Sequence, residues 1–141
     1  MALPLKILIV DDSALVRQSL ARIINHDKSL EVSAVASDPF VAVKKIAACK
    51  PDIITLDIEM PKMDGLTFLR KIMSLHPMPV VVLSSLTKKG SDLAIKAMEY
   101  GAVDVVQKSN LSVDSFQDNE RDILEVIKAA GQSRIKRKKV E

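Results

Sequence analysis

The chain has 141 residues, of which 48% are apolar and 28% charged. That balance fits one soluble domain with a sizeable core, and it excludes a disordered chain, a collagen-like repeat or a disulfide mini-scaffold. The formal charge of +3 is local: Arg134, Lys136, Arg137, Lys138 and Lys139 are five of the 21 basic residues, and the remaining 16 are outnumbered by 18 acidic ones, so the body is mildly acidic.

The opening Met-Ala-Leu-Pro-Leu-Lys reaches two aspartates after a short apolar run, too short for a signal peptide or a membrane span. That run, Ile7–Val10, is the first of five, each about as long as a strand buried on both faces. Ser13 caps a helix whose apolar face reads Leu15, Val16, Leu20, Ile23, Ile24, and Val32–Ala36 is the second strand. Asp38-Pro39 starts another helix, with aspartate as cap and proline at the first helical position. Strand Ile53–Leu56 follows. Gly65 then opens a helix with Leu66, Leu69, Ile72 and Met73 on one face. Strand Val80–Leu83 precedes a helix after Thr87, with Leu93, Ile95, Ala97 and Met98 at helical spacing and Gly101 as its stop. Strand Val103–Val106 is last, before a helix led in by Asp118 or Asn119 and carrying Ile123, Leu124 and Ile127. Five repeats of strand and helix predict an α/β fold: a doubly wound, five-stranded parallel sheet with right-handed crossovers. The working site of such a sheet lies at the carboxyl ends of its strands.

The residues at those ends are Asp11 and Asp12 after the first strand, Asp57 closing the third, Ser84 and Ser85 after the fourth, and Lys108 after the fifth. Any one of them reads as ordinary surface polarity, but the set does not. Three carboxylates brought together repel one another unless a cation neutralises them, and a hard, oxygen-seeking Mg²⁺ answers that need. A metal beside a free carboxylate, a hydroxyl and a lysine suits phosphoryl transfer. The carboxylate serves as nucleophile while metal and lysine neutralise the transferring oxygens. Asp57 is the candidate nucleophile, since it ends the central strand and the Ile-Glu-Met-Pro turn sets backbone groups beside it.

Asp11-Asp12, the stretch Leu56-Asp57-Ile58-Glu59-Met60-Pro61-Lys62-Met63-Asp64-Gly65, Ser84 and Lys108, in that order, resemble the receiver domain of two-component response regulators over about residues 5–130. The resemblance implies a flavodoxin-like sheet of order 2-1-3-4-5 and an Asp57 that accepts phosphate from a histidine kinase. It also implies Mg²⁺ held by Asp12, Asp57 and the Glu59 backbone carbonyl, with Asp11 assisting through water. Ser84 takes the switch hydroxyl position and Lys108 contacts the phosphoryl oxygens. The runs Val80–Thr87 and Ala97–Val105, and the wording around Asp57, are similar to receivers of chemotaxis protein-glutamate methylesterases. That likeness implies a chemotaxis-type kinase, a downstream methylesterase and glutamine deamidase domain, and chemoreceptors reached through that domain. Two departures stand out. Lys108-Ser109 replaces the usual Lys-Pro, which bears on the loop beside the pocket. Val105 replaces the usual switch aromatic, so coupling through a rotating ring cannot operate here.

Other chemistries find less support. No Gly-x-Ser-x-Gly elbow is present, and neither His26 nor His76 has a plausible nucleophile partner, so no hydrolase site is expected. The four glycines form neither a dinucleotide fingerprint nor a P-loop. His26, His76 and Cys49 are expected to be structural, and the methionines to pack in core or loops. One cysteine fits a reducing cytoplasm. An aspartate-nucleophile, Mg²⁺-dependent phosphatase stays open as an alternative, although Glu59 stands where such enzymes place a second aspartate. A receiver from a transcriptional or stand-alone regulator stays open as well. The basic residues 131–141 read as a solvated helix end, as the start of an interdomain linker, or as a salt-sensitive contact with no nucleic-acid sequence specificity.

Overall fold

The computed structural model describes residues 4–60, 64–84, 92–107 and 123–132. Chain order is β1 (Leu5–Val10), α1 (Ala14–Asn25), β2 (Leu30–Ala36), α2 (Pro39–Cys49), β3 (Ile53–Asp57), α3 (Gly65–Leu75), β4 (Val80–Ser84), α4 (Asp92–Glu99) and β5 (Asp104–Gln107). A fifth helix, α5, follows over residues 123–132. All four strand pairings are parallel and the order is β2-β1-β3-β4-β5, the expected doubly wound topology.

The sheet separates two apolar layers. Leu8, Val10, Ile54, Leu56, Val80 and Val82 pack under α2, α3 and α4, against Ala42, Ile46, Phe68, Leu69, Ile72 and Ala97. Ile7, Ile9, Ile53, Val81 and Leu83 pack on the other face, against Leu20, Ile23 and Ile24 of α1 and Ile123, Ile127 and Ala130 of α5. Burial on both faces explains the largely apolar runs Ile7–Val10, Ile53–Leu56 and Val80–Leu83, in which Thr55 is the single polar residue. On the edge, β2 is only partly buried and carries Ser33 as one extra residue opposite β1. The Ser33 hydroxyl donates to the Ile7 carbonyl at 3.3 Å, so the bulge supplies a partner where the ladder is interrupted.

The helix starts form as their residues predict. Ser13 Oγ accepts from Val16 N, and Asp38 Oδ1 accepts from Val41 N with Pro39 at the first turn. Gly101 terminates α4 with φ +112°, and Ala102 N reaches back to Ala97 O at 3.0 Å, so the left-handed turn satisfies the last carbonyls. His26 and His76 are the residues that end α1 and α3.

The buried faces of two helices differ from the periodicity. Leu15, expected in the core, is 57% exposed because α1 turns Ser19, Leu20, Ile23 and Ile24 to the sheet. In α4 the buried residues are Ala94 and Ala97, while Ile95 and Met98 face solvent. Small side chains let a two-turn helix sit close to the sheet, and its larger apolar groups are left outside. The expected starts of the fourth and fifth helices, Thr87 and Asp118 or Asn119, lie outside the described residues, as does Met63.

A charged tie joins the turn after α1 to α5, which packs beside it on the same face of the sheet. Asp27 accepts from the Ser29 amide and hydroxyl and pairs with Lys128 of α5. The Lys128 ammonium, then the two Ser29 donors, hold its carboxyl down at about 2. A depressed carboxyl stabilises the fold above its ordinary range and loses that effect as pH falls through the folded value. Asp27→Asn is therefore expected to cost about 1 kcal/mol at neutral pH, small because Lys128 is half exposed. Denaturant midpoints of the two proteins should converge as pH drops from about 4 to 2.

Candidate phosphoryl-accepting site

The carboxyl ends of β1, β3 and β4 meet along one rim, and the loops leaving them are tied to the sheet. Asp11 N donates to Ala36 O of β2 at 3.0 Å, and Ile58 N donates to Leu83 O of β4 at 3.2 Å. These bonds extend the ladder one residue beyond the strands and set where the next side chains stand.

Asp11 and Asp57 are fully buried, whereas Asp12 is exposed. One carboxylate oxygen from each of the three lies within 4.8 Å of the others. Two buried carboxylates and one at the mouth make a cup with only hard oxygen donors, the chemistry that suits a small divalent cation. Strand topology explains the convergence: Asp11 and Asp12 follow β1, Asp57 ends β3, and these strands are neighbours although 46 residues separate Asp11 from Asp57.

Each acid is fixed locally. Asp11 Oδ1 accepts from Ser13 N at 2.8 Å, and the Ser13 side chain then caps α1, so one turn both aims the acid and starts the helix. The Asp11 carbonyl accepts from the Arg17 guanidinium at 2.7 Å. Asp57 Oδ1 accepts from Glu59 N at 2.9 Å, which aims the carboxylate from the backbone of the following turn. Ser84, the last residue of β4 and fully buried, donates its hydroxyl to Glu59 Oε1 at 2.8 Å.

The structure thus brings together Asp11, Asp12, Asp57, Glu59 and Ser84. Lys108 lies outside the described residues, directly after β5 ends at Gln107, and Ser85 and Ser109 lie outside them too. Val105 sits within β5, opposite Val82. Sequence reasoning missed three contributors. Arg17 holds the loop carrying the first two acids, yet its spacing of six from Asp11 matches no motif. The Glu59 side chain engages Ser84, where the sequence pointed only to its carbonyl. Gly65 lies against Ile58, so close that a Cβ built on it would stand 2.2 Å from the Ile58 Cα. A glycine at a helix start with no need of positive φ was the one available signal.

Comparison with known proteins places this geometry. The family model for the response regulator receiver domain matches residues 7–129. A protein-glutamate methylesterase/protein-glutamine glutaminase of Geobacter metallireducens is 52% identical over 134 residues, covering 94% of this chain and 38% of that protein. The response regulator domain of Thermotoga maritima CheB superposes with a TM-score of 0.85 at 38% identity, covering 92% of this chain and 97% of the other. A chain in the structure of the P1 domain of CheA3 in complex with CheY6 from R. sphaeroides gives a TM-score of 0.72 at 36% identity, covering 92% of this chain and all of that one. The chain therefore spans about two fifths of the curated relative's length. Among the described residues, no helix is long and apolar enough to cross a membrane.

Proposed function

The chain belongs to the response regulator receiver family, and on that premise we propose that Asp57 accepts a phosphoryl group from the phosphohistidine of a chemotaxis-type histidine kinase. The Asp57 carboxylate forms the new O–P bond as the N–P bond breaks, and the departing imidazole keeps the electron pair and takes up a proton. The observation that carries this reading is the cup of Asp11, Asp12 and Asp57, closed at its base by the buried nucleophile. Asp11, Asp12 and Asp57, with the Glu59 carbonyl, would hold Mg²⁺, which supplies neutralisation of the phosphoryl oxygens when bound. The Glu59 amide orients the nucleophile. Burial of Asp57 limits water at the acyl phosphate. Ser84 and Lys108 would engage the phosphoryl oxygens after transfer. The CheA3 P1 and CheY6 complex supports a histidine kinase as donor.

In a longer protein built like the curated relative, the output would be a methylesterase and glutamine deamidase domain, with residues 5–130 as receiver and the basic residues 131–141 as the start of the linker. Chemoreceptors would be reached through that output domain, in the cytoplasm. The receiver itself carries only phosphotransfer to Asp57.

Incubating residues 1–141 with acetyl phosphate and Mg²⁺ tests the reading by intact-mass spectrometry. One phosphate is expected per chain, removed by hydroxylamine because an acyl phosphate is cleaved by that nucleophile. No incorporation, or a hydroxylamine-resistant label, would overturn the assignment.

A further inference from the structure

The Glu59 carboxylate occupies an unexpected place. Its backbone amide donates to Asp57 at 2.9 Å, while its side chain accepts the Ser84 hydroxyl at 2.8 Å. One residue therefore touches the nucleophile with its backbone and the switch hydroxyl with its side chain. A serine hydroxyl has a single proton to donate. That proton points to Glu59.

We propose that the Glu59 carboxylate is a latch that holds the Ser84 hydroxyl in the unphosphorylated state, so that a phosphoryl group on Asp57 must take Ser84 away from Glu59 before the switch can move. The inference rests on the Asp57 reading and adds to it a competitor built into the resting site. Three observations support it. The contact is short, with Ser84 Oγ 2.8 Å from Glu59 Oε1, within the range of a well-formed O–H···O hydrogen bond. Ser84 is fully buried and Glu59 partly buried, so water competes poorly for the proton. Ser84 is also fixed in backbone, paired with Gln107 of β5, so its hydroxyl can change partner by side-chain rotation while the strand stays in place. Glu59 thus sets how much of the phosphoryl interaction energy is used to release Ser84, and therefore the fraction of molecules that switch.

The test is a double-mutant cycle read by binding of the phosphomimetic beryllofluoride with Mg²⁺, followed by isothermal titration calorimetry, with thermal midpoints to verify folding. Glu59→Ala should tighten beryllofluoride binding about tenfold, the size expected for a hydrogen bond to a charged group. Glu59→Gln, which keeps an acceptor but loses the charge, should fall between Glu59→Ala and wild type. In a Ser84→Ala background the same Glu59→Ala change should alter affinity less than about twofold, because there is nothing left to latch. An equal gain in both backgrounds would mean that Glu59 acts through charge repulsion alone and would overturn the latch, as would weaker binding by Glu59→Ala. Wild-type protein that binds no beryllofluoride would overturn the Asp57 reading itself, a result distinct from an additive cycle.

Discussion

Asp57→Asn is expected to cut phosphate incorporation from acetyl phosphate to below roughly one thousandth of wild type, a loss of the size seen when a nucleophile is removed. The substitution is conservative in every other respect. Asn keeps the shape of Asp57 and an oxygen that can accept from the Glu59 amide, so the turn after β3 stays in place. What disappears is the charge on Asp57 and one of three carboxylates in the acidic cup. A second measurement separates chemistry from folding. On the proposed reading Mg²⁺ would bind only the folded cup, so at about 100 times its dissociation constant it should add ~2.7 kcal/mol to wild-type stability. With two carboxylates instead of three, most of that increment should vanish in Asp57→Asn while the metal-free protein remains folded. A variant that still takes up hydroxylamine-labile phosphate would place the acceptor elsewhere.

Gly65→Ala is expected to be the most damaging single methyl group that can be added near the site. Its Cβ would lie 2.2 Å from Ile58 Cα, 2.6 Å from Ile58 Cβ and 2.7 Å from the Ile58 carbonyl carbon. Carbon atoms prefer about 3.5–4.0 Å. These neighbours include backbone, so no rotamer change relieves the clash. Either α3 lifts from the sheet, pulling Phe68, Leu69 and Ile72 from the core, or the segment carrying Asp57, Ile58 and Glu59 shifts. Overpacking of this kind costs about 3 kcal/mol, and a loss on the order of 10 °C in thermal midpoint is expected. Displacement of Asp57 by even an ångström should slow acetyl phosphate labelling by roughly a hundredfold. Wild-type stability together with wild-type labelling would show that the contact yields without cost.

Both predictions concern the same short segment, and they divide what was legible in the chain from what was not. Strand and helix order, the Ser13 and Asp38 caps, the Gly101 stop and the acids at strand ends follow from local rules: backbone sterics, capping hydrogen bonds, and burial on both faces of a parallel sheet. Such rules act over a few residues and leave their mark in residue type and spacing. The outward placement of Leu15, Ile95 and Met98 escaped those rules, because the depth at which a helix seats on the sheet depends on every residue beneath it.

The amino-acid sequence by itself determined the order of elements, the strand ends where the acids stand, and the family motifs around Asp57. Only the tertiary structure decided that Asp11 and Asp57 are buried while Asp12 is open, that Arg17 braces the first loop, and that Glu59 holds Ser84. The physical reason is range. A strand end is written in its own residues, whereas a contact between residues 25 apart exists only once β3 and β4 are side by side and the turns beyond them have been packed into place.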